Sequence, residues 1–334
     1  ALVRRVYSAC EGGFLDAFPR GCTRIEVMTH QPPVDCAPAP EHGSNAPQGA
    51  APSPFADGEL PVTILRPRRG WQSLALGDLW RHRELLYFLT WRDVKVRYKQ
   101  TVLGVAWAVL QPVAATVVFA VFFGRLGGLS QHTEVAYSVF VYAGLLPWTY
   151  FSSTITSAAG SLIGGGHMIN KVYFPRMALP FSYLFTGLID LALSLLVLFG
   201  MMAWYRAGLD FGWRLLLFPA FLLPAIAAAG GLSLWLSATA VRYRDVQHLV
   251  PYLLQIGMFV TPVVYAVKLL PARFQWLLQL NPMTGVVEGF RWSLLGKPVA
   301  GWPLLFGGFL IGLLLLVSGM VYFRRVERTM ADVV

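Results

Sequence analysis

TVLGVAWAVLQPVAATVVFAVFFG, residues Thr101 to Gly124, runs for 24 residues without Asp, Glu, Lys or Arg. A helix rises about 1.5 Å per residue and needs about 20 apolar residues to cross the hydrocarbon of a bilayer, so this stretch predicts a membrane span. Five more windows free of those four residue types follow it: Val135 to Asn170, Leu191 to Tyr205, Leu215 to Ala240, Val246 to Val267 and Pro298 to Phe323. The window at Leu191 is short and reaches span length if its helix begins near Met177 and accommodates Asp190. The pattern predicts an all-α polytopic membrane protein with about six transmembrane helices between residues 101 and 334.

Composition agrees with that class. Of 334 residues, 56% are apolar, 14% aromatic and only 13% charged, and the mean hydropathy is +0.55. A soluble domain carries about twice that share of charge, and wholesale disorder needs low hydrophobicity with high charge density. Both classes are excluded. Lys and Arg outnumber Asp and Glu by 27 to 17, a surplus that in a membrane protein marks cytoplasmic loops rather than a nucleic-acid surface. Basic residues near one set of span ends (Arg92, Lys95, Arg97, Lys99; Lys171, Arg176; Arg242, Arg244; Arg324, Arg325, Arg328) are denser than near the alternate set. The denser set is expected in the cytoplasm, with both termini inside.

Residues 1–65 are rich in proline and small polar residues and are expected to form a disordered cytoplasmic tail. Glu11, Asp16, Arg20, Arg24 and Glu26 interrupt any secretory signal, and Met28 is a candidate native start. Cys10, Cys22 and Cys36 are widely spaced, which supports neither a zinc site nor a redox pair. Residues 66–100 mix Trp, Leu and Phe with dense charge, the composition of an amphipathic helix lying in the membrane interface. Val94 to Lys99 alternates apolar and polar residues and alone would suggest a strand, yet no turn signal separates it from the apolar segment beyond, so helix is expected. Residues 268–297 are too charged to span. Asn281-Pro282 breaks them into two short amphipathic helices, expected to re-enter the outer leaflet. There Glu288 and Arg291 stand one turn apart, placed to form an ion pair, in which case a charge-swapped pair should restore function lost in single mutants.

No soluble catalytic signature is present. Gly296-Lys297 lacks the upstream glycine spacing of a phosphate-binding loop, and no GxSxG, HExxH or paired metal-ligand spacing occurs. His167 and His248 are isolated near span ends, where solvation or capping explains them. Asp190 is the one acid well inside a predicted span; with no chain of titratable partners, it is assigned structural hydrogen bonding over proton relay. The connector from Gly164 to Arg176 presents Lys171, Tyr173, Phe174 and Arg176, two aromatics between cations, which suits a docking element better than a plain connection. Aromatics in and near the spans include Trp107, Tyr142, Trp148, Tyr150, Phe151, Phe259 and Tyr265. An interfacial belt accounts for those near span ends, and sugar rings could stack on others lining a path. GxxxG at Gly160/Gly164 and Gly308/Gly312 is compatible with close helix contact.

Several stretches, taken in order, resemble the membrane subunit of ABC exporters for lipid-linked polysaccharides, the O-antigen, capsule and teichoic-acid permeases. They are Arg92 to Lys99 with Leu103-Gly104 and Trp107, Gln111-Pro112, Lys171 to Arg176, Tyr243-Arg244-Asp245, Thr261 to Tyr265, Asn281-Pro282 with Glu288 and Arg291, and Arg325 to Val333. The likeness spans residues 75 to 334 and leaves the proline-rich head unmatched. It implies a multi-pass protein of the bacterial inner membrane, paired with a second copy of itself and two nucleotide-binding ATPase subunits that carry ATP and Mg, with no cofactor on this chain. It further implies a lipid-linked glycan as substrate, a gate or interface helix bearing Arg92, Arg97 and Tyr98, coupling through Lys171, Tyr173, Phe174 and Arg176, an aromatic-lined channel, and the re-entrant segment at Asn281, Pro282, Glu288 and Arg291. A permease for a drug or small lipid is the nearest alternative. A membrane-embedded glycosyltransferase or acyltransferase would need clustered carboxylates or histidines at one membrane face.

Overall fold

The computed structural model describes residues 76–99, 106–133, 135–165, 175–205, 213–296 and 301–327. The 1–65 tail with its three cysteines, and Lys171, Tyr173 and Phe174, lie outside them. Among the described residues there is no strand. In chain order the α-helices of six residues or more are α1 (Leu76–Arg81), α2 (Arg83–Lys99), α3 (Ala106–Phe119, prolonged by a π-helical stretch, Ala120–Leu126), α4 (Tyr137–Ala159), α5 (Ala178–Trp204), α6 (Phe218–Arg242), α7 (Val246–Val260), α8 (Ala272–Gln279), α9 (Pro282–Leu295) and α10 (Trp302–Glu327).

Four segments are long and apolar enough to cross a membrane: Ala106–Leu126, Ala178–Trp204, Trp213–Arg242 and Trp302–Glu327. They correspond to the first, third, fourth and sixth sequence windows. Helix α5 begins at Ala178, so Asp190 does lie within a 27-residue helix. The other two windows give helices of a different character, and each difference has a physical cause.

Helix α4 is 23 residues long but rich in Ser, Thr and Tyr. It packs against α3, α5, α6, α7 and α9, and Val139, Val141, Tyr142, Ala143 and Leu146 are fully buried. Polar side chains are tolerated at membrane depth where protein or water covers them. The least lipophilic long helix therefore occupies the centre, with three of the four most apolar segments, those containing α3, α5 and α6, packed against it. Helix α7 stops after 15 residues, short of its 22-residue window, because Pro262 follows. A residue before proline is driven out of the helical region, and Thr261 is extended at φ −82°, ψ 137°.

The strand signal at Val94–Lys99 gives way to helix in α2. Its protein-facing stripe is Leu85, Leu86, Leu89, Thr90, Asp93, Val94, Arg97 and Tyr98, while Tyr87, Phe88, Trp91 and Val96 are exposed. That spacing is helical, and the period-2 pattern is incidental. Helix α9 also departs from expectation: it is buried on every side from Met283 to Leu295, so it has no polar, solvent-facing side.

The closest helix pairing is α6 against α10. A Cβ on Gly231 would collide with the backbone of Leu315 and Leu316, and one on Gly319 with the backbone of Gly231. Gly312 continues this seam against the Pro224 carbonyl, to which an added Cβ would approach within 3.0 Å, and Gly308 packs instead on α9, where a Cβ would lie 2.8 Å from the Pro282 carbonyl. Small residues let membrane helices approach to van der Waals contact of their backbones. The Gly308/Gly312 pair thus makes close contacts, whereas Gly164 has nothing within 4 Å.

Gly231→Leu or Gly319→Leu should lower stability by about 1–3 kcal/mol or more through overpacking, read as a lower unfolding temperature of the purified protein in detergent. Gly200→Ala, where nothing lies within 4 Å, should be neutral or slightly stabilising.

Candidate functional site

Helix α4 is sheathed on one side and open on the other. Thr149, Ser152, Ser153, Thr156 and Ser157 recur at i, i+3, i+4, i+7 and i+8, so they share one face, and all five line a cavity of about 570 Å³. Trp107 and Gln111 of α3, Gln255 of α7, and Trp148 and Tyr150 of α4 complete much of its wall. Three hydroxyls donate backward along the helix: Thr149 to Leu146 O (2.9 Å), Ser152 to Thr149 O (3.3 Å) and Ser153 to Tyr150 O (3.3 Å). Their protons are engaged and their lone pairs remain as acceptors. The surface combines flat apolar rings with neutral hydrogen-bonding groups.

One edge of the cavity is closed by charge. Arg97 Nη1 and the Tyr98 hydroxyl both donate to the Asp190 carboxylate, and Arg97 Nη2 reaches Ser157 Oγ at 3.5 Å. One turn earlier Asp93 accepts from Ser182 Oγ at 2.9 Å and pairs with Arg92 at 2.8 Å. Together these contacts stitch α2 along α5. Burial, then the hydrogen bond to Asp190, pushes the Tyr98 hydroxyl well above the usual tyrosine range, so it serves as a neutral donor.

The second construction sits around Arg291 in α9. Its Nη1 donates to Pro262 O at 2.8 Å and its Nη2 to Val263 O at 2.6 Å, with Nε 3.4 Å from Phe140 O. Nη1 also meets Glu288 Oε1 at 3.3 Å, and the guanidinium lies 3.7 Å from the Phe140 ring centroid. Gly144 makes room: a Cβ there would be 2.5 Å from Arg291 Nη2. Asn281 caps α9, accepting from Met283 N at 3.0 Å, and its Nδ2 donates to Thr261 Oγ1 at 2.8 Å. The proline that ends α7 frees carbonyls in a buried setting, and a planar five-donor group satisfies them.

The sequence-derived candidates divide accordingly. Trp107, Trp148 and Tyr150 come together at the cavity. Tyr142 and Phe151 lie in the core, where the Tyr142 hydroxyl donates to Ser194 O at 3.2 Å. Phe259 is exposed on α7, and the half-buried Tyr265 donates to Phe259 O and Val260 O. Arg176 stands beside the end of α10, its Nη1 3.5 Å from Glu327 O. Asn281, Pro282, Glu288 and Arg291 form one unit with Thr261 to Val263. The hydroxyl face of α4 and the Gln255 amide were not singled out from sequence, and Gln111 only as part of the resemblance, although the i, i+3, i+4, i+7 recurrence of Ser and Thr carries that signal. Among the described residues no group of His, Cys, Asp and Glu could hold a metal ion.

Residues 84–295 match the family described as ABC-2 type transporter. An O-antigen export system permease protein, RfbA, of Klebsiella pneumoniae is 26% identical over 257 residues, covering 75% of this chain and 95% of that protein. Its namesake from Myxococcus xanthus is 30% identical over 220 residues, or 64% and 81% of the two chains. The polysialic acid transport protein KpsM of Escherichia coli is 24% identical over 250 residues, or 72% and 92%.

The expected Glu288–Arg291 pair forms, but because Arg291 also serves three carbonyls, exchanging the two charges should not restore function. Arg291→Ala should destabilise the protein by about 3–5 kcal/mol, as expected when a buried ion pair is broken. Glu288→Gln should cost less, and Glu288→Arg with Arg291→Glu should be no better than Arg291→Ala. Unfolding temperatures of the four purified proteins check this order.

Proposed function

The chain belongs to the ABC-2 type transporter family, and on that premise we propose that it is the permease subunit of an ATP-driven exporter moving a lipid-linked, O-antigen-like polysaccharide across the bacterial inner membrane. The observation that carries the proposal is the near end-to-end likeness to O-antigen permeases, up to 95% of a relative's length. The cavity wall of aromatic rings and neutral acceptors supports it, because a sugar offers an apolar C–H face beside hydroxyl donors.

In this reading six helices lie in the membrane: α3, α5, α6 and α10 as lipid-facing spans, α4 at the centre, and the shorter α7 beside it. Helix α2 lies in the cytoplasmic interface with Tyr87, Phe88 and Trp91 toward lipid, a composition suited to that depth. Helices α8 and α9 re-enter from the outer leaflet, with the Arg291 contacts satisfying the broken backbone there. Both termini are cytoplasmic. A second copy of the chain completes the conduit, and two ATPase subunits bind and hydrolyse ATP with Mg.

Work done on the ATPases must reach the spans through a contact. The connector from Lys171 to Arg176 is the proposed coupling element, its Tyr173 and Phe174 acting as anchors of the kind that dominate interfaces. Arg176 supports this by standing against the C-terminal end of α10, where a push on the connector would reach a long helix. Arg92, Arg97 and Tyr98 make α2 the second element able to respond.

Two experiments test the proposal. Deleting the gene should remove a surface polysaccharide, and a chain carrying Tyr173→Ala with Phe174→Ala should insert and retain its ATPase partner yet fail to restore the polymer. Normal surface polysaccharide after deletion contradicts the function, and full restoration by the double mutant eliminates the connector as the coupling element.

A further inference from the structure

Among the described residues, the wall of the α4 cavity contains two charged side chains, Arg97 and Asp190, and they neutralise each other. Everything else that lines it is hydroxyl, amide, aromatic or aliphatic. The same holds along three of the helical elements that line it. The stretch Ala106–Leu126, α4 and α7 together carry no Asp, Glu or Lys and one Arg, Arg125, which belongs to a separate concavity of about 340 Å³ with Tyr205.

We infer that this cavity is a binding site for an uncharged stretch of glycan, and that the chain is selective for a neutral polymer over a polyanionic one. The inference rests on the exporter reading and adds the substrate's charge class and the place where it binds. A sugar ring can set its C–H face on Trp107 or Trp148 while its hydroxyls donate to the lone pairs of Ser153 and Thr156 and bond the Gln111 and Gln255 amides. A carboxylate or phosphate on every repeat would lose its hydration there without meeting an uncompensated cation, because Arg97 is already held by Asp190. Neutral hydrogen-bonding groups with aromatic faces recognise hexoses and 6-deoxyhexoses without a charge requirement, and the lining has that composition.

The test has two arms. In the first, the gene is deleted in its own host and the surface polymer that disappears is hydrolysed and analysed. The expected loss is a polymer of neutral sugars with no uronic acid, sialic acid or phosphate in its repeat. Loss of an acidic polymer overturns the charge selectivity while leaving the exporter reading intact, and loss of no polysaccharide overturns the exporter reading itself. In the second arm, the deletion strain is complemented with Ser153→Trp, which fills the cavity, with the smaller Thr156→Gln, or with the control Leu196→Trp, on an exposed face of α5. Membrane insertion and retention of the ATPase partner are measured for each. Among variants that assemble normally, cavity substitutions should lower surface polymer at least tenfold and Leu196→Trp should not. Wild-type polymer from an assembled Thr156→Gln or Ser153→Trp protein overturns the site.

Discussion

A buried guanidinium governs how this chain closes on itself. Arg291 is 2% exposed and joins three segments that are far apart in sequence: α4 through Phe140, the break after α7 through Pro262 and Val263, and α9 itself through Glu288. Desolvating such a cation is expensive unless each donor finds an acceptor. Two of the acceptors exist because Pro262 ends α7, so the segment beyond it presents the Pro262 and Val263 carbonyls. The helix end and the arginine are mutually necessary, since either alone would leave buried polar groups without partners. Gly144 completes the arrangement by letting α4 lie against the guanidinium.

With α9 fixed in this way, the hierarchy of the other helices follows from lipophilicity. Segments apolar throughout can face lipid, and the hydroxyl-bearing α4 cannot. Enclosed by α3, α5, α6, α7 and α9, it keeps one face open, and Ser and Thr concentrate on that face. The opposite faces of α6 and α10 are drawn together by glycine contacts, most closely between Gly231 and Gly319. Packing on one side thus allows a polar cavity on the other. The Arg97, Tyr98 and Asp190 cluster links that cavity to α2, so a displacement of α2 would be felt at the wall of the proposed glycan site.

Much of this was legible in the sequence, for reasons that are physical rather than statistical. Four of the six windows lacking charge located the long apolar helices because charge is what lipid excludes, and Asp190 takes the hydrogen-bonding role its isolation suggests. The Glu288–Arg291 pair was visible because i, i+3 neighbours lie on one helix face. Partners distant in sequence were not visible: nothing local couples Arg97 to Asp190, or Arg291 to Pro262 and Val263. The charge-swap expectation gives way for that reason, since it treats Arg291 as half of a pair when the guanidinium also holds the backbone. Window length was misleading where proline intervened, shortening α7, and hydropathy alone could not distinguish the enclosed α4 from the lipid-facing helices. The aromatic candidates show the same gap. Trp148 and Tyr142 are both buried on α4, yet one borders the cavity and the other packs in the core, a distinction fixed by rotation about the helix and by what surrounds it.

The central claim is that the Ser and Thr face of α4 lines a water-accessible path within a membrane-embedded protein. It is tested most directly by thiol accessibility in the assembled complex, with Cys10, Cys22 and Cys36 replaced and single cysteines placed at Thr156 and at the buried Val141. Reaction with a small, charged, water-soluble thiol reagent should be rapid at position 156 and absent at position 141. Equal protection of both positions in a complex that hydrolyses ATP normally would contradict the account.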